Sequence, residues 1–207
     1  MDALLIPIFY VVVILYSVTI HEVSHGLMAN SLGDPTAKNL GRLSLNPIKH
    51  IDLFGSVLLP LLLVILRAPF LFGYAKPVPY NPDNLTDRKY GPVKVAIAGP
   101  LANIVLALLF GLTLRFFGDF MPSSLMVELF KNIVWLNLVL AVFNMFPVPP
   151  LDGHWLLMAF LPARFSAFKT YLYKNSFFIF PIFLIIFMFY VSPVIFLLFK
   201  LITGLEL

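Results

Sequence analysis

The stretch ALLIPIFYVVVILYSVTI, residues 3–20, carries no charged side chain and runs directly into HEVSH, residues 21–25. Its length suits a helix that crosses a membrane, since about 20 helical residues span about 30 Å of hydrocarbon. If the helix continues through the second stretch, its period of about 3.6 residues places His21 and His25 one above the other on a single face. An apolar run and a polar constellation therefore share one predicted membrane helix.

The composition of the whole chain is that of a helical membrane protein. Its 207 residues are 60% hydrophobic and 12% charged, whereas a soluble domain carries about 25% charged residues. Uninterrupted apolar runs favour helices over the alternating pattern of a membrane barrel. Three more uncharged runs are long enough to cross, at residues 95–114, 132–151 and 175–199. We expect an all-α polytopic membrane protein, a helical bundle of about four to six transmembrane segments.

A shorter apolar run at residues 53–66 is expected to behave differently from the long ones. It is 14 residues long and contains Pro60. That length suits a re-entrant or interfacial segment better than a full crossing. We predict that this segment dips into the membrane and returns through residues 69–73.

The chain is expected to form one domain over residues 1–207. The first membrane helix is predicted over residues 4–31, closed by Gly-Asp-Pro at 33–35; it lacks the basic start and the cleavage site of a signal peptide. No internal repeat or long linker divides the chain. We expect a core over residues 4–160 and a C-terminal membrane helix region over residues 175–205. Pro181 and Pro193 allow this region to be one kinked helix or a helix with an interfacial tail.

Residues 21–25 carry the groups of a metal-dependent hydrolase. Two imidazoles on one helix face can hold a single metal ion, and Glu22 beside them can act as the base for a water molecule. The chain has no Cys, so nitrogen and oxygen must supply the ligands. Ionisable side chains within a membrane are costly and mark function. We therefore predict that His21 and His25 bind Zn²⁺ and that Glu22 is catalytic.

A second polar stretch, NMFPVPPLDG at residues 144–153, ends the third long run. Its prolines cannot continue an α-helix, because they lack the amide donor and clash with the preceding turn. We predict an unwound, extended Pro-rich strip at the active site. Zinc with two His ligands commonly takes a carboxylate as the third, and Asp152 is the candidate. We expect Asn144, Pro147 and Pro149 to bind substrate, with Asn144 donating to a carbonyl or oxyanion.

Together the two motifs resemble the site-2 protease family of intramembrane zinc metalloproteases. The resemblance is carried by residues 21–25 and 144–153 and by AGPLAN at 98–103, and it covers about residues 5–160. It implies one Zn²⁺ ion on the three predicted ligands, with Glu22 handling the proton. It also implies that a transmembrane segment of another protein is the substrate, in regulated intramembrane proteolysis. The chain has no soluble insertion of PDZ type and so resembles the compact branch.

The charge pattern predicts the orientation of the chain. Basic residues dominate the segments at 34–50, 67–94 and 153–174, whereas residues 116–127 contain only Asp119 as a charge. Basic loops are typical of the cytoplasmic side. The two motifs can meet at one depth only if both motif-bearing helices run in the same direction. We expect an active site nearer the cytoplasmic face of a bacterial or archaeal cytoplasmic membrane.

Each candidate residue also has a structural interpretation. His21 and His25 could join helices by hydrogen bonds, and Glu22 could be a buried structural acid. Asp152 could simply cap the helix that follows it, since Asp is a favoured N-cap. Asn103 is expected to pack near the site, where it could also support a ligand. Asn144 could join helices by hydrogen bonds instead of binding substrate.

Two other functions fit parts of the pattern. Ionisable residues within a membrane also mark ion pathways, so the chain could be a metal or proton transporter. It could also be a catalytically silent protein that holds partner helices. The expected partners are transmembrane protein substrates and the lipid bilayer. The net charge of +4 gives no reason to expect a nucleic acid.

Overall fold

The structure is a computed structural model that describes residues 2–68 and 72–206. About 75% of the described residues are helical, counting short 3-10 and π-helical turns, and the described residues form no strand. In chain order the helices are α1 (Asp2–Ser31), α2 (Thr36–Asn39), α3 (Leu59–Ile65), α4 (Gly91–Phe117), α5 (Ser124–Asn144), α6 (Gly153–Phe160), α7 (Ser166–Lys174), α8 (Ser176–Tyr190) and α9 (Ser192–Thr203).

Within the part of the chain that the structure describes, three helical stretches are long and apolar enough to cross a membrane, namely Ile6–Ser31, Gly91–Phe120 and Ser124–Asn144. The pair Ala163–Lys174 and Ser176–Tyr190 is bent by 81° and gives a fourth crossing only if it forms one broken span. A bent pair of this kind also suits a re-entrant segment. The predicted all-α membrane fold is confirmed.

The first helix ends where the sequence predicts. Helix α1 closes at Ser31, and Gly33 follows with a φ of +104°, a conformation that favours glycine. A Cβ atom at Gly33 would lie only 3.3 Å from the Asn84 carbonyl oxygen. The turn therefore needs glycine both for its backbone angle and for the close approach of a later segment.

Helix α5 begins earlier than the uncharged run at 132–151 indicates. The Ser123 side chain accepts a hydrogen bond from the Met126 N–H and caps the helix, which starts at Ser124. The first turns include Glu128, which is exposed. A run defined by uncharged residues leaves these first turns out. They still belong to the helix, because charged side chains at a helix end can reach water.

The predicted fourth run at 175–199 is not one spanning helix. It divides at Val191 into α8, with 15 residues, and α9, with 12 residues. Pro193 lies in the first turn of α9; it lacks an amide hydrogen and its ring clashes with the carbonyl one turn earlier, so a continuous helix is disfavoured. Neither helix alone reaches the roughly 20 residues that a crossing requires.

Helices α1 and α4 run antiparallel through the centre of the bundle. His25 near the end of α1 contacts the carbonyl of Val95 near the start of α4. Further along, the Asn103 side chain of α4 donates to the carbonyl of Ser17, which lies earlier in α1. The two contacts occur in opposite chain order, so the helices point in opposite directions.

Helices α1 and α5 run parallel, as the meeting of the two motifs requires. The Tyr10 hydroxyl donates to Asn132, and the Asn137 side chain donates to the Ser17 hydroxyl. These contacts occur in the same chain order on both helices. Helix α4 is the one long crossing between them, so both motifs reach the same end of the bundle.

An apolar cluster holds the C-terminal helices against α5. Its buried members include Leu138 of α5, Phe183 and Phe187 of α8, and Phe199 of α9. Leu151 belongs to the same cluster and is 6% exposed. Because Leu151 precedes Asp152, the cluster anchors the chain immediately before the predicted ligand.

The short apolar run enters and leaves at one end of the bundle. A π-helical turn, Leu53–Leu58, leads into α3. The chain returns so that Tyr74 N–H donates to the carbonyl of Gly55 and Lys76 N–H donates to the carbonyl of His50, at 3.1 and 2.8 Å. Residues 69–71 of the predicted return lie outside the described residues. The contacts on either side support a dip rather than a crossing.

Buried Asp34 joins the end of α1 to a later segment. Its side chain accepts hydrogen bonds from Thr36, from the Asn81 N–H and from the Asn84 amide, and its exposed surface is 0%. Burial alone would raise the pKa of Asp34, but these hydrogen bonds outweigh it and hold the pKa below the ordinary value. The ionised carboxylate therefore stabilises the loops at this end.

We expect Asp34→Asn to lower the free energy of unfolding by about 2–4 kcal/mol, since each hydrogen bond to a charged group contributes about 1.5–3 kcal/mol. Asp119→Asn at an exposed site is the control and should cost less than about 0.5 kcal/mol. Unfolding of the purified protein in detergent measures both.

The pH dependence of this difference gives an independent check. The folded pKa of Asp34 lies below the unfolded value, so its stabilisation is complete above the ordinary Asp value of about 3.9 and is lost as the pH falls through the folded value. The gap between the wild type and Asp34→Asn should stay constant down to about pH 5 and shrink below about pH 4. A gap that widens in acid would contradict this role.

Candidate metal centre and catalytic site

The structure brings the three predicted ligands together. The Asp152 Oδ2 atom lies 3.1 Å from His21 Nε2 and 3.3 Å from His25 Nε2. The two imidazole rings are 4.6 Å apart between centroids and nearly perpendicular, as expected for one helix face. Both His residues are buried, and the Asp152 side chain is 20% exposed.

Asp152 does not act as a helix cap. Its φ and ψ are −60° and −37°, and its side chain makes no capping hydrogen bond to α6. The next residue, Gly153, lies so close to the end of α5 that a Cβ atom would overlap the Met145 carbonyl. Glycine thus lets the chain fold back closely, and the Asp152 carboxylate points to the imidazoles instead.

The Pro-rich stretch is unwound, but it forms turns rather than the predicted extended strip. The Leu151 N–H donates to the carbonyl of Val148 at 2.9 Å, which closes a turn. Pro147 is exposed and Pro149 is buried. Asn144 is the last residue of α5, and its side-chain amide donates to the carbonyl of Leu140. The prolines predicted only that the helix would end. The hydrogen bond between Leu151 and Val148 is what folds the stretch into a turn.

Each imidazole has a hydrogen-bond partner on its far nitrogen. His21 Nδ1 lies 2.6 Å from the Asn103 Oδ1 atom, and His25 Nδ1 lies 2.7 Å from the carbonyl oxygen of Val95. Both partners are acceptors, so each Nδ1 carries the hydrogen, which leaves each Nε2 as the ring nitrogen that a metal ion could bind. Metal-binding histidines are oriented in this way.

A buried polar network fixes the orientation of Asn103. Its side-chain nitrogen donates to Asn137 Oδ1 at 2.8 Å, and Asn137 in turn donates to the Ser17 hydroxyl at 3.0 Å. Asn103 and Asn137 are both 0% exposed. Because the nitrogen is used towards Asn137, the oxygen must face His21. From the sequence, Asn103 was expected to pack near the site with a possible role in supporting a ligand, and the structure shows its contact with His21.

The donor set fits one tetrahedral metal ion. Zinc bonds of about 2.0–2.1 Å place ligand atoms about 3.3 Å apart in a tetrahedral site, and the two contacts of Asp152 are 3.1 and 3.3 Å. Gly99 of α4 faces the same point: a Cβ atom there would lie 2.5 Å from His25 Nε2 and 2.6 Å from His21 Nε2. The missing side chain leaves room where an ion would sit.

Glu22 lies beside this donor set and is held by a backbone group. Ligand atoms of His21, Glu22 and His25 lie within 4.8 Å of one another, so this group could bind a metal ion. Asp152 is the better third ligand, because it lies closer to both imidazoles and the Glu22 Oε2 atom already accepts the Val78 N–H at 2.8 Å. No side-chain pattern could have revealed this backbone contact from the sequence.

Comparison with known proteins found relatives that are named as putative zinc metalloproteases. Residues 115–188 match the sequence model of Peptidase family M50. "Putative zinc metalloprotease YwhC" of Bacillus subtilis is 38% identical over 178 residues, 83% of this chain and 78% of that protein. "Putative zinc metalloprotease Rip2" of Mycolicibacterium smegmatis is 31% identical over 141 residues, 68% of this chain and 52% of that protein. No solved structure matches.

The fold and the site define an integral-membrane protein of metalloprotease type. The likeness to YwhC exceeds 30% identity and spans more than two thirds of both chains. This chain belongs to peptidase family M50, the site-2 protease family.

We expect Gly99→Ala to lower the affinity for Zn²⁺ at least about 100-fold, since the added methyl group would fill the space between the two imidazoles and change the coordination geometry. Gly118→Ala is the matched control: a Cβ atom at Gly118 meets nothing within 4 Å. Competition with a zinc-binding dye measures both affinities in detergent. Equal affinities would show that the space beside Gly99 is not the metal site.

Proposed function

We propose that this chain is a site-2-type zinc metalloprotease that cuts peptide bonds within or near transmembrane segments of other proteins, in regulated intramembrane proteolysis. The observation that carries the proposal is the convergence of two imidazoles and one carboxylate from distant parts of the chain, with Glu22 beside them. The names of the relatives support zinc as the metal and proteolysis as the reaction. The whole chain, 1–207, acts as one domain.

The protein supplies the three ligands and the base. His21, His25 and Asp152 would hold one Zn²⁺ ion, which when bound supplies a Lewis acid that polarises a carbonyl and lowers the pKa of water. Glu22 accepts a proton from the attacking water and delivers it to the leaving amide nitrogen. A positioned acid–base group of this kind contributes about 10²–10⁴ in rate.

The substrate has to unwind before it can be cut, because a helix hides its amide groups in its own hydrogen bonds. The unwound stretch from Asn144 to Asp152 is the surface we propose for the unwound substrate. Pro147 is exposed there, and Asn144 is half-buried at the end of α5. We propose that both contact the substrate, while buried Pro149 shapes the stretch from beneath.

The orientation follows from the charges around the site. The segments at the end of the bundle that carries the motifs, including α2 and the first turn of α4, hold a series of basic residues: Lys38, Arg42, Lys49, Lys76, Arg88, Lys89 and Lys94. Basic loops favour the cytoplasmic side. We propose that the site lies nearer the cytoplasmic face of a bacterial or archaeal cytoplasmic membrane.

The test is cleavage of a membrane-tethered reporter by purified protein in liposomes. We expect Glu22→Gln to lose at least about 100-fold in rate and to keep one Zn²⁺ per chain, because it loses the base but no ligand. Glu128→Gln, an exposed glutamate at the other end of α5, is the matched control and should cleave like the wild type.

The alternative functions give different results in the same assay. A transporter would move Zn²⁺ or protons into the liposomes and cleave nothing. A silent helix-binding protein would bind the reporter and leave it intact in every variant. Equal cleavage by the wild type and Glu22→Gln would also reject the proposed role of Glu22.

A further inference from the structure

A single backbone group of the protein holds the proposed catalytic base. The Val78 N–H donates to the Glu22 Oε2 atom at 2.8 Å. Among the described residues, Val78 is the one donor to this carboxylate. One oxygen is thereby fixed and the second oxygen is left to exchange a proton.

The sequence around Val78 leaves no other amide hydrogen in reach. Val78 lies between Pro77 and Pro79, and proline has no backbone N–H. The residue before a proline is also restricted to extended backbone. Residues 74–81, which we call the strap, thus present one donor at their centre, and that donor meets Glu22.

The strap is anchored on both sides of Val78. Before it, the Arg42 guanidinium donates to the carbonyls of Lys76 and Pro77, at 2.8 and 3.3 Å. After it, the Asn81 N–H donates to buried Asp34 at 2.7 Å. These anchors make the strap a fixed part of the fold rather than a mobile cover.

Helix α1 is shaped to receive the strap. Gly26 lies one turn after Glu22 on the same face, and a Cβ atom there would lie 2.8 Å from Val78 Cγ1. The Val78 side chain is buried, with 6% exposure. The absence of a side chain at Gly26 lets the strap approach closely enough for its N–H to reach the carboxylate.

We propose that the Val78 N–H is a positioning group for Glu22, and this inference rests on the proposed function. A glutamate side chain has three rotatable bonds, and a hydrogen bond to one oxygen restricts them all. The Val78 N–H keeps the base beside the two imidazoles before substrate arrives. A misplaced catalytic group costs up to about 100-fold in rate.

The first test separates the N–H from the side chain. Val78→Pro removes the hydrogen, whereas Val78→Ala removes most of the side chain and keeps the hydrogen. With the liposome reporter we expect kcat of Val78→Pro to fall about 10–100-fold with little change in KM or in zinc content. Val78→Ala keeps the N–H and should therefore be more active than Val78→Pro, as a positioning role of the N–H requires.

A backbone ester at position 78 removes the same N–H without introducing a proline that could disturb the fold. Incorporating the hydroxy-acid analogue of valine replaces only the N–H by oxygen, and it should lower kcat as Val78→Pro does. An ester variant as active as the wild type would overturn the proposal. So would a gain in activity, because it would make the strap an inhibitory latch.

A second measurement does not depend on cleavage. In metal-free protein labelled with ¹⁵N-valine, the Val78 amide signal is assigned by its loss in Val78→Ala. We expect Glu22→Gln to shift it upfield; an unmoved signal would overturn the contact. If the wild type cleaves and Val78→Pro cleaves equally, only this inference fails. If the wild type cleaves nothing although the amide signal shifts, the proposed function fails and takes the positioning role with it.

Discussion

The structure depends on the meeting of one carboxylate with two imidazoles that lie more than 120 residues away in sequence. Asp152 reaches both His21 and His25 within 3.3 Å. Ionisable groups at membrane depth are costly unless they have partners. Parallel packing of α1 and α5, with α4 antiparallel between them, follows from this requirement. The dip before α4 and the turns after α5 then bring all the site residues to one end of the bundle.

Close approach of backbone to side chain is the second common feature of the site. Gly99 leaves space between the imidazoles, Gly153 lets the chain fold back on the end of α5, and Gly26 admits the strap. Each position would bring a Cβ atom within 3 Å of another group. Glycine therefore shapes the proposed metal centre as much as the ligands do. The buried Asn103 then fixes one ligand through its hydrogen bond to His21.

Much of the fold followed from the sequence, because apolar runs and charge breaks report membrane helices directly. The end of α1 and the meeting of His21 and His25 with Asp152 are examples. The prolines of the last apolar run allowed a kink or an interfacial tail, but not the position of the division at Val191. The turns at 145–152 were not predictable, since hydropathy does not report local hydrogen bonding. The hydrogen bond from the Val78 N–H to Glu22 was not predictable either. It is made by the backbone, whose position depends on contacts made elsewhere in the chain.

The most direct measurement is the zinc K-edge X-ray absorption spectrum of the purified protein carrying one Zn²⁺ per chain. We predict a first shell with two imidazole nitrogens and a carboxylate oxygen, all at about 2.0–2.2 Å. In Asp152→Ala the carboxylate should be lost while both imidazoles remain. A spectrum that is the same in the wild type and Asp152→Ala would contradict the convergence of these three side chains on one ion.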